Sequence, residues 1–125
     1  MKDQDAAMER FEATFAALKA ILERYEPGMV VQTDEPTYYY LNTGKTHKKK
    51  PVMFAAVRLG KGYVSYHLMP VYGCPALLEG LSEQLRARMQ GKACFNFKTV
   101  DPALFEELTR LTEESLQKFR TAGFA

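Results

Sequence analysis

The chain has 125 residues, of which 46% are hydrophobic and 26% are charged, and its formal net charge is +2. This length suits one domain with a single core, and this composition is unlike that of a disordered chain. The charge excess is too small to indicate a nucleic-acid-binding protein. No apolar run approaches the ~20 residues needed to cross a bilayer, and the N-terminus lacks the apolar core of a secretion signal. We therefore expect one cytoplasmic domain spanning 1–125 that binds neither membrane nor nucleic acid.

The first predicted element is a helix from about Asp3 to Arg24. Its apolar residues recur in steps of three and four, which places them on one face. Pro27-Gly28 is predicted to end it, because proline cannot continue the hydrogen-bond ladder and glycine frees the turn. The apolar positions are Met8, Phe11, Phe15, Leu18, Leu22 and Tyr25.

Four strand-like runs, rich in β-branched and aromatic residues, come next. Short turns at 34–36 and 60–62 predict that they form an antiparallel meander. The polar, basic segment between the second and third runs, residues 43–51, is predicted to be a loop. The four runs are Met29–Thr33, Thr37–Asn42, Val52–Leu59 and Tyr63–Met69.

The remaining third returns to helical patterns. Residues 75–80 are predicted to form one helical turn, and Ser82 caps a predicted helix that runs to about Gln90. Ala93–Phe97 is a short fifth strand, and Asp101-Pro102 begins the last helix. The fold class is therefore α+β, with an antiparallel sheet of about five strands and helices packed on one face, in the order α-ββββ-α-β-α.

The turn at 60–62 also predicts which side chains share a face of the sheet. An apolar set is expected to meet the helices: Ala55, Val57, Leu59, Val64, Tyr66 and Leu68. The uncovered face is expected to carry Phe54, Arg58, Tyr63, Ser65, His67 and Met69.

The uncovered face is the predicted functional surface. His67 lies at the centre of the fourth run with Ser65 and Arg58 on its face, and Asn96 joins them if the fifth strand pairs there. A histidine titrates near neutral pH and can contact a ligand or act as a base. The alternative is a histidine that is hydrogen-bonded within the sheet. We predict ligand contacts from these four residues.

Three consecutive tyrosines, Tyr38, Tyr39 and Tyr40, lie in the second run, so at least one ring must point away from the core. We assign Tyr39 to the predicted ligand-binding set. An exposed tyrosine makes an apolar patch that suits a flat ligand or a protein partner. A homodimer is the commonest use of such a patch, so a homodimer is one expected assembly.

A basic cluster follows in the predicted loop. His47, Lys48, Lys49 and Lys50 are a candidate anion site, and the alternative is a solvated basic turn that protects the sheet edge from aggregation. Cys74 and Cys94 are expected to be reduced and buried in the core.

No reaction-specific motif appears in the chain. The histidines and cysteines show neither a CxxC nor an HExxH spacing, so we predict no metal site. No glycine-rich phosphate loop follows a strand, and no Gly-x-Ser-x-Gly elbow is present. We therefore expect a protein without a cofactor and without catalytic activity.

Three segments carry a resemblance to a known family: VMFAAV at 52–57, YVSYHLMP at 63–70 and GKACFNFK at 91–98. They are similar to the YdhG-like bacterial domains of unknown function, and the similarity covers most of the chain. It implies a compact α+β domain with an antiparallel sheet. One branch of that family is described as frataxin-like iron chaperones, which would use an acidic surface on the first helix. Here the acidic residues are interleaved with basic ones; they are Asp3, Asp5, Glu9, Glu12, Glu23 and Glu26.

Two functions follow from the residues and the resemblance. The preferred one is a non-catalytic module that binds a small molecule or a protein through the uncovered sheet face. The alternative is an iron-binding metallochaperone of the frataxin-like type.

Overall fold

The computed structural model describes the backbone of residues 2–125 and the side chains of residues 6–125. Two long helices lie near the ends of the chain, and two short helices follow the fourth strand. Single 3₁₀ turns span Glu26–Gly28 and Pro75–Leu78. The helices are α1 (Lys2–Glu23), α2 (Met69–Gly73), α3 (Glu83–Arg86) and α4 (Pro102–Ala122). No helix between residues 2 and 125 has the length and apolar character that a membrane crossing requires.

The strands form one antiparallel sheet in the order β1-β2-β3-β4-β6-β5, so β1 and β5 are its edges. Within residues 2–125 the sheet has six strands, and the predicted α+β class is confirmed. The strands are β1 (Val30–Glu35), β2 (Tyr38–His47), β3 (Lys50–Leu59), β4 (Val64–Leu68), β5 (Met89–Gln90) and β6 (Cys94–Phe97).

The core lies between one face of the sheet and the helices α1 and α4. Val57 and Tyr66 are opposite each other in the register and are fully buried, as the turn at 60–62 predicts. The Tyr66 hydroxyl lies 2.6 Å from the Thr112 hydroxyl of α4, and both groups are buried. The Tyr25 hydroxyl donates to Glu113 across 2.8 Å and fixes the end of α1 against α4. These contacts leave the other face of the sheet without a long helix.

Phe54 is the exception to the predicted faces, and its placement on the uncovered face is wrong. The β2–β3 register jumps from Leu41–Ala55 to Asn42–Met53, so Phe54 has no partner on β2. Such a bulge turns the extra side chain toward the face of its neighbour. Phe54 is fully buried on the helix side, where its ring packs on Tyr25 at a centroid distance of 5.9 Å.

The segment 43–51 is not a loop. β2 and β3 continue through it, and a two-residue turn at Lys48 and Lys49 joins them. Both lysines are left-handed, with φ of 53° and 67°. In a two-residue hairpin turn, positive φ at both central residues gives a backbone twist that matches the twist of the flanking strands. Here this requirement outweighs the preference of lysine for negative φ.

The predicted helix from Ser82 to Gln90 is too long. Ser82 does cap α3, accepting a hydrogen bond from the Leu85 amide at 3.1 Å. The helix ends after one turn because the Arg88 carbonyl accepts from the Asn96 amide at 2.7 Å, which places the edge strand β5 beside β6. The cap of the last helix is as predicted: Asp101 accepts from the Leu104 amide at 3.2 Å.

Candidate binding site on the open sheet face

The open sheet face is built from two parallel rows of side chains, because the four central strands are in register. In each row, facing residues on neighbouring strands point the same way. The first row is Tyr38, Arg58, Ser65 and Asn96, and the second is Tyr40, Ala56, His67 and Cys94. The structure therefore brings together four of the five predicted ligand contacts, namely Arg58, Ser65, His67 and Asn96.

The prediction that Tyr39 contacts the ligand is wrong, because Tyr39 does not lie on the open face. Alternation along β2 turns its ring into the core, where it is fully buried. Its hydroxyl donates to Glu26, and the Lys19 ammonium lies 5.1 Å from the ring centroid. Burial raises the pKa of the Tyr39 hydroxyl far above 10, with the Glu26 carboxylate adding to the effect. Tyr38 and Tyr40, on either side of Tyr39 in β2, lie on the open face instead.

His67 and Cys94 form a contact pair at the centre of this face. Cys94 is not a core residue as predicted; it is half-buried, and its sulfur lies 3.4 Å from His67 Nδ1. Burial lowers the pKa of His67 and raises the pKa of the Cys94 thiol. Both shifts favour the neutral forms, so the pair is a thiol and an imidazole near pH 7 rather than a thiolate and an imidazolium.

Two polar atoms on this face are buried and have no partner among the described residues: His67 Nε2 and Asn96 Oδ1. An unsatisfied buried polar atom costs about 1–3 kcal/mol. A bound group that supplied a hydrogen bond to His67 Nε2 would recover part of that cost.

A large open groove, of about 1400 Å³, passes over His67, whereas Asn96 is not one of its lining residues. Its first part, the sheet part, lies on the open face over Met53, Ala56, Arg58, Ser65, His67 and Cys94. Its second part, the helix part, lies where the turns at 36–37 and 60–63 approach α1, beside Ala7, Met8, Phe11 and Glu12. The methyl group of Ala56 lies between two larger neighbours in its row, Tyr40 and His67, so the sheet part has a depression in its floor.

The groove has a net positive charge among the described side chains. Arg58 and Lys61 are exposed cations along it, and Glu12 is the acidic residue that lines it among residues 6–125. The Arg58 guanidinium lies over the Tyr38 ring at 5.7 Å from the centroid. The ion pairs among residues 6–125 are Lys19–Asp34 and Glu106–Arg110, so Arg58 has no carboxylate partner there.

The predicted anion site lies apart from this groove, at the tip of the β2–β3 hairpin. Lys48, Lys49 and Lys50 are exposed. The His47 ring packs edge-on against Phe124, with 5.2 Å between the ring centroids, so His47 anchors the C-terminal residues. The structure places the four residues together, and none of them lines the groove.

No group of three or more potential metal ligands is present among the described residues. Glu9, Glu12 and Glu23 are exposed along α1, whereas the side chains of Asp3 and Asp5 lie outside the described residues.

Tyr38, Ala56 and Lys61 are among the lining residues that sequence reasoning missed. Ala56 alternates with Val57, a predicted core position, and Tyr38 alternates with Tyr39, which is buried in the structure but was assigned to the ligand-binding set. A strict alternation of faces on β2 and β3 would have placed Ala56 and Tyr38 on the open face. Comparisons with protein-family models, with curated proteins and with solved structures find no match to this chain.

Proposed function

We propose that the protein is a non-catalytic binding module that holds a small molecule in the groove on its open sheet face. The observation that carries the proposal is the floor of the sheet part, where Ala56 is opposite His67 in the register and the buried His67 Nε2 has no partner among the described residues. Concave surfaces that combine apolar walls with a few convergent polar groups are the usual sites of small-molecule binding.

The protonation states support binding rather than catalysis. A nucleophilic cysteine needs a lowered thiol pKa, which a cationic neighbour or a helix N-terminus supplies. Cys94 has the opposite shift, and its neighbour His67 is neutral. A neutral imidazole and a neutral thiol can donate and accept hydrogen bonds without reacting.

Membership in the YdhG-like family is part of the same proposal. It is supported by the resemblance of the segments 52–57, 63–70 and 91–98 and is consistent with the α+β architecture that the resemblance implies. The residues at 63–70 and 91–98 of that resemblance supply Ser65, His67, Cys94 and Asn96 to the open face.

The volume of the whole groove exceeds the ~300–1,000 Å³ of typical small-molecule pockets. A small ligand would therefore occupy one part of it. The sheet part is the proposed position, because it contains the exposed Arg58 guanidinium and His67, whose Nε2 has no partner among the described residues.

The test is a titration of ¹⁵N-labelled protein with phenol, a small neutral probe that combines a ring with one hydroxyl group. We expect phenol to shift the amide signals around Ala56, Ser65 and His67. Ala56→Phe fills the depression and should abolish these shifts. Ala103→Phe, at an exposed position of α4, is the matched control and should leave them unchanged. Shifts that centre on another surface, or that survive in Ala56→Phe, would refute the proposed site.

A further inference from the structure

We infer that the ligand of this groove is an organic carboxylate with an apolar or aromatic body. The inference rests on the proposed function and names the class of molecule that the site takes. Four features of the groove support it: a guanidinium with no carboxylate partner among residues 6–125, the charge balance, the neutral polar floor and the apolar rim.

The guanidinium of Arg58 is the group of the groove that can recognise a planar anion. Its neighbour Tyr38 holds it by a cation–π contact at 5.7 Å, which restricts the long side chain without occupying its outward N–H groups. Arg58 is exposed and has no carboxylate partner among residues 6–125. A guanidinium fork matches the two oxygens of a carboxylate, and two parallel charge-assisted hydrogen bonds result. Ser65, opposite Arg58 in the register, can donate a further hydrogen bond.

The charges along the groove match a monoanion. Arg58 and Lys61 are positive, Glu12 is negative, and the central histidine His67 is neutral because burial lowers its pKa. The resulting single positive charge is small for a phosphate dianion, which usually meets several cations. A carboxylate needs only one well-placed arginine.

The rim supplies the surface for an apolar body. Tyr63 and Met8 are large hydrophobic side chains that remain 44% and 53% exposed, and both line the groove next to Leu59. Exposed apolar residues that border a concave surface often mark a site of contact with a ligand. A ligand whose carboxylate binds Arg58 in the sheet part would reach this rim, where the helix part begins, only with the end of its apolar body.

The experiment compares 3-phenylpropionate with 3-phenylpropionamide, which has the same shape without the charge. Each compound is titrated into ¹⁵N-labelled protein, and its Kd is taken from the amide shifts of Arg58, Ser65 and His67. We expect the carboxylate to bind about tenfold more tightly than the amide, since each factor of ten needs only ~1.4 kcal/mol of charge-assisted bonding. Inorganic phosphate should cause no shifts at these positions.

Matched variants assign the difference to Arg58. Arg58→Gln should make the two Kd values equal, and Arg58→Lys should restore only part of the preference, because it keeps the charge and loses the fork. Lys118→Gln removes one exposed positive charge from α4 and should leave the ratio unchanged. The amide spectrum of each variant shows whether the fold is intact.

Each outcome separates this inference from the proposed function. Equal binding of the acid and the amide in the groove would overturn the carboxylate inference and leave the binding site in place. A preference for the acid that survives in Arg58→Gln would also overturn it. If neither compound shifts the groove signals, the carboxylate inference is wrong, and the phenol titration alone then decides the site.

Discussion

Cys94 lies directly opposite His67 across the β4–β6 ladder, and its sulfur is 3.4 Å from His67 Nδ1. This contact orients the imidazole, so that Nδ1 faces the sulfur, while Nε2 is buried without a partner among the described residues. The pair therefore gives the open face a polar centre that is uncharged and incompletely hydrogen-bonded.

The first prediction concerns the dependence of stability on pH. Burial lowers the pKa of His67 in the folded protein below its value of 6.5 in the unfolded chain. Between these two pKa values the unfolded state binds more protons, so the free energy of unfolding rises with pH and levels off above about pH 7. As the pH falls through this window, the free energy of unfolding decreases, because the unfolded chain takes up the proton that His67 in the folded protein does not. Urea unfolding at a series of pH values, with His67→Gln for comparison, checks this. A stability difference between wild type and His67→Gln that does not change with pH would contradict it.

The second prediction concerns the hairpin turn at Lys48 and Lys49. Both have positive φ, a conformation that costs about 1–2 kcal/mol for a residue with a Cβ. Lys48→Asn combined with Lys49→Gly should stabilise the protein by about 1 kcal/mol or more, measured by urea unfolding. Lys50→Gly, one residue further on and inside β3, is the control and should destabilise it. A double variant that unfolds at lower urea than wild type would show that the turn is not strained.

The third prediction concerns the buried pair of Tyr66 and Thr112. The Thr112 hydroxyl lies 2.8 Å from the Leu108 carbonyl, to which it donates, and 2.6 Å from the Tyr66 hydroxyl. Tyr66→Phe leaves Thr112 satisfied and should cost about 1 kcal/mol. Thr112→Val leaves the Tyr66 hydroxyl buried with no partner among the described residues and should cost about 1–3 kcal/mol.

Thermal or urea unfolding of the two single variants and the double variant measures this asymmetry. The double variant should be no less stable than Thr112→Val alone, because the orphaned hydroxyl is gone. Equal costs for the two single variants would contradict this account of the hydrogen bonds.

The fourth prediction distinguishes two adjacent tyrosines. Tyr39→Ala removes a fully buried ring and should cost about 3–5 kcal/mol of stability. Tyr38→Ala removes a ring on the open face and should cost less than about 1.5 kcal/mol, while it weakens binding of 3-phenylpropionate because Arg58 loses its support. Urea unfolding curves test the two stability losses, and the Kd of 3-phenylpropionate from amide shifts tests the loss of binding in Tyr38→Ala. A larger stability loss for Tyr38→Ala than for Tyr39→Ala would reverse the assignment of faces on β2.

The sequence was informative where local rules decide the structure. The alternation of apolar and polar residues with the short turn at 60–62 predicted the Val57–Tyr66 register, and therefore the face of Arg58, Ser65 and His67. The cap at Asp101 likewise predicted the start of α4. These features depend on neighbours along the chain and on the two-residue period of a strand.

The errors arose where distant contacts decide the structure. The bulge that buries Phe54 depends on the pairing of β2 with β3, which has no local signal. The edge strand β5 forms because β6 offers hydrogen-bonding groups. Because of this pairing, α3 ends at Arg86 and does not continue to Gln90 as predicted. Tyr39 is the exception, because alternation along its own strand would have placed it correctly.

The measurement that tests the central claim most directly is the detection of intermolecular nuclear Overhauser effects between bound phenol and ¹³C-labelled protein. The account predicts cross-peaks from the phenol ring to the Ala56 methyl group and to the His67 ring, which line the sheet part of the groove. Other exposed apolar residues, such as Tyr72 and Val100, provide the comparison. Cross-peaks to those residues alone, with none to Ala56 or His67, would contradict the claim that the open sheet face is the binding site.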